Sequence, residues 1–156
     1  MGNTELEVPA GFQMLPEGLG FTDVLRPLYR RELDDEVHLG MFVQAQQCNL
    51  MGNCHGGALM TLADIGAVAA INFSREKKTP SPTLNLSFDF INAAQEGDWL
   101  QTHTDRLSLK RRFGFASGVI LSGDKVIVRY SGTFYYPDHG GFKHNLDGVA
   151  KLHGQG

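Results

Sequence analysis

Between Gly57 and Phe73 the apolar residues form no stripe. Leu59, Leu62, Ile65, Gly66, Ala69 and Phe73 fall on one side of a helix, and Met60, Ala67, Val68 and Ile71 fall on the side that also carries Asp64. A helix that is apolar nearly all round is predicted to be buried. A membrane span is the poorer reading, because a span needs about 20 residues with few charges and this segment holds Asp64 midway, with Thr61 and Asn72 nearby. From Thr83 to Ile91 the period changes to two. Leu84, Leu86, Phe88 and Phe90 alternate with Asn85, Ser87 and Asp89, which predicts a strand with one packed face and one polar face.

Further strands are predicted at Trp99 to Leu109, Phe113 to Ser122 and Val126 to Tyr136. They are separated by Glu96-Gly97-Asp98, by the charged Lys110-Arg111-Arg112, and by Gly123-Asp124. Three such turns predict an antiparallel meander. Ahead of the helix, residues 1–20 read as an irregular lead-in with Pro9, Gly11, Pro16, Gly18 and Gly20. Phe21 to Tyr29 reads as a short helix stopped or kinked at Pro27, and Gly40 to Gln47 as a single strand. Ser74 to Pro82 has the charges and prolines of a solvated loop, and Asp138 to Gly156 reads as a loose tail. One helix, one strand before it and four after it predict an α+β domain spanning 1–156, in which a curved antiparallel sheet wraps around the helix.

Composition removes several partners. A formal charge of −3 and a pI near 6.0 offer no basic face for nucleic acid and no polybasic membrane signal. The opening Met1-Gly2-Asn3-Thr4-Glu5-Leu6 lacks the basic and apolar runs of a signal peptide, and Leu6 stands where myristoylation wants Ser or Thr. A cytoplasmic protein is the expectation. Cys48 and Cys54 are expected to be thiols, and with His55 they lack a recognisable zinc spacing. No metal is expected there.

Candidate chemistry gathers where the helix begins, in Asn49-Leu50-Met51-Gly52-Asn53-Cys54-His55-Gly56-Gly57. The first N–H groups of a helix have no intrahelical acceptor and stand at the positive end of its dipole. Gly56 and Gly57 would admit a carbonyl oxygen to them, and charge developing there would be stabilised; the same glycines also serve a plain strand-to-helix turn. Asp64 is an acid on an apolar helix. It is hydrogen-bonded, faces a wet cleft, has a raised pKa fit for base or nucleophile work, or pairs with a structural arginine. His55 could bind a substrate or hold the loop. Gly56 and Asp64 are eight residues apart, about 12 Å along a helix, too far to touch one reacting carbon. If they act together, Gly56 of one subunit faces Asp64 of another across a two-fold interface with antiparallel helices.

These residues resemble the hot-dog-fold acyl-CoA thioesterases of the phenylacetic-acid-degradation type. The resemblance runs from Phe21-Thr22-Asp23-Val24-Leu25-Arg26-Pro27-Leu28-Tyr29 through Asn49, Gly52, His55-Gly56-Gly57 and Leu62-Ala63-Asp64 to Ser131-Gly132-Thr133-Phe134. It implies a sheet wrapped around one long helix, a homodimer that often pairs into a homotetramer, and no metal or other cofactor. It implies that the Gly56 N–H polarises the thioester carbonyl of an acyl-CoA and that Asp64 of the partner activates water or attacks directly. Asn49 and His55 would hold the thioester and position water, and Thr83 stands where relatives carry a Ser or Thr that hydrogen-bonds the nucleophile. Two other functions compete with hydrolysis. A hot-dog hydratase or dehydratase needs a differently placed His, and a non-catalytic acyl-CoA-binding module has no need of Asp64. Lys110, Arg111 and Arg112 read either as a solvated turn or, with Gly57 nearer the thioester, as a grip on the CoA phosphates.

Overall fold

A computed structural model of the chain describes residues 5–76, 79–137 and 151–153. Seven strands, β1 (Gln13–Met14), β2 (Leu28–Glu32), β3 (Val37–Phe42), β4 (Thr83–Phe90), β5 (Trp99–Leu109), β6 (Phe113–Ser122) and β7 (Lys125–Tyr135), form one antiparallel sheet in the order β1-β2-β3-β5-β6-β7-β4. The helix α1 (Gly56–Phe73) packs against β3, β4, β5, β6 and β7. By length and composition α1 could cross a membrane, yet Leu59, Leu62, Ala63, Ile71 and their neighbours are buried among Leu39, Met41, Leu100, Ile120, Ile127 and Phe134 of the sheet. Close approach is built in at Gly66, where a Cβ would stand 2.6 Å from the Thr102 methyl on β5.

The helix is not enclosed on every side. Gly57, Met60, Thr61, Asp64 and Val68 follow one another at helical spacing, and all are exposed or half-buried. The chain's own sheet covers this flank only in part. Met60 is 42% exposed, although the pattern of apolar residues put it in a buried helix.

Three strands, not one, precede the helix. The segment Phe21 to Tyr29 is a 3-10 helix only over Gly20–Leu25, after which Pro27 interrupts and Leu28 and Tyr29 enter β2. β3 starts at Val37 and stops at Phe42, and Ala45–Gln47 is a 3-10 turn where the strand was expected to continue. Alternation is absent from β3 because both of its faces are covered: Leu39 and Met41 join the core, while the outer face lies under an aromatic group of Phe12, Tyr29, Phe42 and Trp99. The lead-in is thus partly ordered, with β1 paired to β2 and Phe12 and Leu15 buried.

The meander holds for β5-β6-β7, but β4 does not lie beside β5. It pairs with β7 and forms the sheet edge. Its apolar face is accordingly half-covered: Leu86 and Phe88 are half-buried, whereas Leu84 and Phe90 are 56% and 54% exposed. Of the C-terminal tail, residues 151–153 are described, and His153 is buried with Nε2 3.1 Å from Asn72 Nδ2. The rest of the tail and Lys77-Lys78 of the connector lie outside the described residues.

Candidate active site

The loop ahead of α1 is held by its own polar groups. Asn49 Oδ1 accepts from the Met51 and Asn53 N–H groups at 2.9 and 3.2 Å, and the Asn49 N–H donates to Asn53 O at 2.7 Å. Gly52 has φ +79° at the turn, a conformation that glycine adopts without a Cβ penalty. Leu50 and Met51 project from the tip, fully exposed. Cys48 and Cys54 face each other as an isolated bridge and remain free thiols, and burial pushes the Cys54 thiol up to about 12, with Cys48 adding to the rise. A thiolate nucleophile is therefore disfavoured at Cys54.

His55 caps the helix. Its Nδ1 accepts from the Gly57 N–H at 2.8 Å, and its carbonyl oxygen takes the Ala58 and Leu59 N–H groups. The acceptor role fixes Nδ1 as unprotonated, so the neutral ring carries its proton on the exposed Nε2. The Gly56 N–H, first of the helix, has no acceptor among the described residues. It opens on a pocket of about 340 Å³ lined by Cys54, Gly56, Leu59, Phe90, Ile91 and Ala94. A Cβ on Gly56 would stand 3.4 Å from the Phe90 ring. Phe90 walls this pocket although nothing local in the sequence ties it to the helix start; its one signal is its place as the last apolar member of the alternating face of β4. A larger groove of about 610 Å³ lies on the outer face of the sheet among Arg106, Phe115 and Ser131, and neither Gly56 nor Asp64 lines it.

Asp64 sits two turns further along α1, half-buried on the open flank. No described arginine pairs with it. Thr83, the first residue of β4, donates its hydroxyl to Asp64 Oδ1 at 2.5 Å. Burial holds the Asp64 carboxyl above its ordinary value, and the Thr83 bond opposes part of that rise. β4 thus runs past α1 with Thr83 at Asp64 and Phe90 at Gly56, and the two ends of the strand lie beside two separate groups of candidate residues.

Lys110, Arg111 and Arg112 form the exposed β5–β6 turn, closed by Lys110 N–H to Phe113 O at 2.8 Å. Their place in the sheet is set by register. Tyr136 N–H donates to Arg112 O, Tyr135 N–H donates to Pro82 O, and Gly114 and Thr83 are both paired with Phe134. Two strand spacings, about 10 Å, separate the base of the turn from Thr83. The three cations therefore lie at the Asp64 end of the sheet and not at the Gly56 end. A single chain brings together Asp64 with Thr83, and Gly56 with His55 and the Asn49 loop; it does not bring the two groups together.

Residues 51–128 match the family model described as Thioesterase superfamily. A Pseudomonas aeruginosa protein that bears the name putative esterase is 38% identical over 133 residues, which cover 85% of this chain and 99% of that one. Among solved structures, the phenylacetic acid degradation protein PaaI of Thermus thermophilus aligns with a TM-score of 0.66 and 24% identity over 75% of this chain and 98% of that one. A Streptococcus pneumoniae protein described as a hypothetical thioesterase and solved with coenzyme A aligns with a TM-score of 0.65 and 19% identity over 75% of this chain and 92% of that one. At these identities the two structures establish the shared architecture.

Proposed function

We propose that this chain, which belongs to the thioesterase superfamily and is a thioester hydrolase of the hot-dog fold, cleaves an acyl-CoA to coenzyme A and a carboxylic acid at sites shared between two subunits. The observation that carries this reading is the pair of incomplete half-sites: a Gly56 N–H with no acceptor among the described residues at a helix start and, about 12 Å away, a carboxyl of raised pKa on the partly covered flank of the same helix. Two helices lying antiparallel about a two-fold axis would bring the Gly56 half of one subunit to the Asp64 half of the other. Exposed apolar side chains support such pairing: Met60 on α1, Leu84 and Phe90 on the edge strand, and Leu50 and Met51 at the loop tip. The open edge of β4 offers unpaired backbone groups to a second copy.

In the mechanism that follows, the thioester carbonyl oxygen accepts from the Gly56 N–H of one subunit, and the His55 Nε2–H and the Asn49 loop bound the space beside it. Asp64 of the partner takes a proton from water while the water oxygen attacks the carbonyl carbon. The tetrahedral oxyanion is stabilised by the helix N-terminus where its charge develops. Collapse expels the thiolate, which recovers the proton, and the carboxylic acid is left. Direct attack by the Asp64 carboxylate would pass instead through an anhydride that water opens. Thr83 orients the carboxylate in either route. The pocket beside Gly56, walled by Leu59, Phe90 and Ile91, is apolar and suits an acyl group. Hydrolysis of a panel of aromatic and fatty acyl-CoAs, followed by thiol release, tests the reading: turnover supports it, and stoichiometric binding without any release would assign the chain to ligand binding instead.

The balance of forces on Asp64 has a pH signature. Burial raises its pKa, so the ionised form is reached at higher pH than in a free aspartate, and the acid limb of kcat/KM should lie above about 3.9. Thr83→Val removes the donor that favours the charged form. The limb should then move to still higher pH, read from kcat/KM profiles of the two proteins; an unmoved limb would separate Thr83 from the base.

The basic turn makes a separate prediction, since coenzyme A carries phosphates and the turn lies at the Asp64 end of the sheet. Replacing Arg111 and Arg112 with Ala should raise KM for acyl-CoA roughly tenfold with little change in kcat, because binding common to ground and transition states is lost. The effect should shrink with added salt and vanish on a truncated thioester without the nucleotide. An equal loss on both substrates would make the arginines supports of the fold.

A further inference from the structure

Away from α1, on the outer face of the sheet, Glu36, His38 and His103 stand together. One ligand-capable atom from each lies within 4.8 Å of the others. His38 on β3 and His103 on β5 are opposite one another in the register that pairs Gly40 with Gln101, and Glu36 precedes His38 by two residues, on the same face. The backbone ladder between β3 and β5 stops at Gly40. Beyond it, side chains replace the missing bonds: the Leu39 N–H donates to Thr102 Oγ1 at 2.9 Å, and His38 Nδ1 lies 2.8 Å from Thr102 O.

That last contact decides the chemistry of His38. A carbonyl oxygen only accepts, so Nδ1 carries the proton and the lone pair of a neutral ring is on Nε2. Nε2 faces the Glu36 carboxylate at 3.0 Å. Two lone-pair-bearing atoms at that separation need a cation between them, either a second proton or a metal ion. An imidazole whose Nδ1–H is fixed by a backbone carbonyl and whose Nε2 lone pair is turned to a carboxylate beside it has the ring orientation that second-shell carbonyls give histidine ligands in metalloproteins. His103 supplies a further lone pair: its ring stacks on His38 at 5.2 Å and makes no hydrogen bond among the described residues. Glu36 is 40% exposed, which gives an ion a path from solvent, whereas His38 is only 3% exposed.

We infer that Glu36, His38 and His103 form a binding site for one borderline divalent transition-metal ion, of the Zn²⁺ type, that staples the β2–β3 hairpin to β5. Two imidazoles and one carboxylate suit Zn²⁺ and its neighbours over Mg²⁺ or Ca²⁺, which take oxygen ligands. With bonds of about 2.0–2.1 Å, ligand atoms around one ion are about 3–4 Å apart, so the His38–Glu36 spacing already fits. The half-buried His103 ring has to leave the stack and turn toward them. The site shares no residue with the Gly56 and Asp64 half-sites, and its role is to hold strands together where their backbone ladder is broken.

The test is titration of the metal-stripped full-length protein with Zn²⁺, read by calorimetry and by metal content after dialysis. One ion per chain is expected, with affinity falling more than tenfold in both Glu36→Gln and His103→Ala. Both side chains reach solvent, so the fold should survive, as circular dichroism can verify. Saturating Zn²⁺ at about a hundredfold over Kd should raise Tm by roughly 5 °C or more in the parent and leave the two variants unmoved. Absence of stoichiometric binding would overturn the assignment. So would binding that both variants retain, or that His139→Ala with His144→Ala abolishes, which would move the ion to the tail. Because Tm and stoichiometry carry the result, failure here leaves the hydrolase reading untouched, and loss of hydrolysis leaves this one untouched.

Discussion

Asp64→Asn is expected to lower kcat for thioester hydrolysis at least about a hundredfold, the scale of losing a positioned base, while leaving the protein folded. The second half of that expectation follows from the sign of the pKa shift. Burial raises the folded-state value, so stability from this group is present below the unfolded value and is lost as pH rises through the folded one. At neutral pH the ionised Asp64 therefore works against folding, and a neutral amide that still accepts from Thr83 should match or exceed the parent in Tm. A variant that is slow and at least as stable would separate a catalytic carboxylate from a structural one. Near-parental turnover would sink the mechanism.

Complementation probes the division of labour. Gly56→Leu places a branched side chain at the helix start, toward Phe90, and should abolish hydrolysis as fully as Asp64→Asn. Mixed and allowed to exchange subunits, the two inactive proteins should recover about a quarter of parental activity, since half of the dimers are mixed and each mixed dimer keeps one of two sites intact. The expectation is specific to sites built across a two-fold axis. No recovery after verified exchange would mean that both residues serve a site within one chain, or that Gly56 only shapes the turn.

Much of this was legible in the residues because the signals were local. The ends of α1, β5 and β6 followed from apolar periodicity and turn chemistry, and Asp64 announced itself as a charge where its neighbours are apolar. β2 was hidden, and β3 was legible only from Gly40 onward, with its end misplaced at Gln47. Leu28-Tyr29-Arg30-Arg31-Glu32 mixes buried arginine with apolar residues, and β3 is covered on both faces, so neither strand alternates. The partner of β4 was equally hidden, because its alternating face says which side packs and nothing about which strand lies beside it. The same nonlocal register decides that Lys110-Arg111-Arg112 and Thr83 share one end of the sheet. Thr83 as a donor to Asp64 rests on that register too, and only the resemblance pointed to it.

The placement of β4 also sets an order of assembly. The strand follows the helix in the chain, but its neighbour in the sheet is β7, whose last residue is Tyr135. During synthesis, residues 83–90 emerge well before the strand they pair with, and contacts so distant along the chain form late. Before β7 is made, β4 has no strand to pair with, and Thr83 lacks the register that sets it beside Asp64. A nascent or truncated chain ending before Tyr135 would carry every residue of the half-sites and still be inactive, and the shared site would arise only once each subunit is nearly complete.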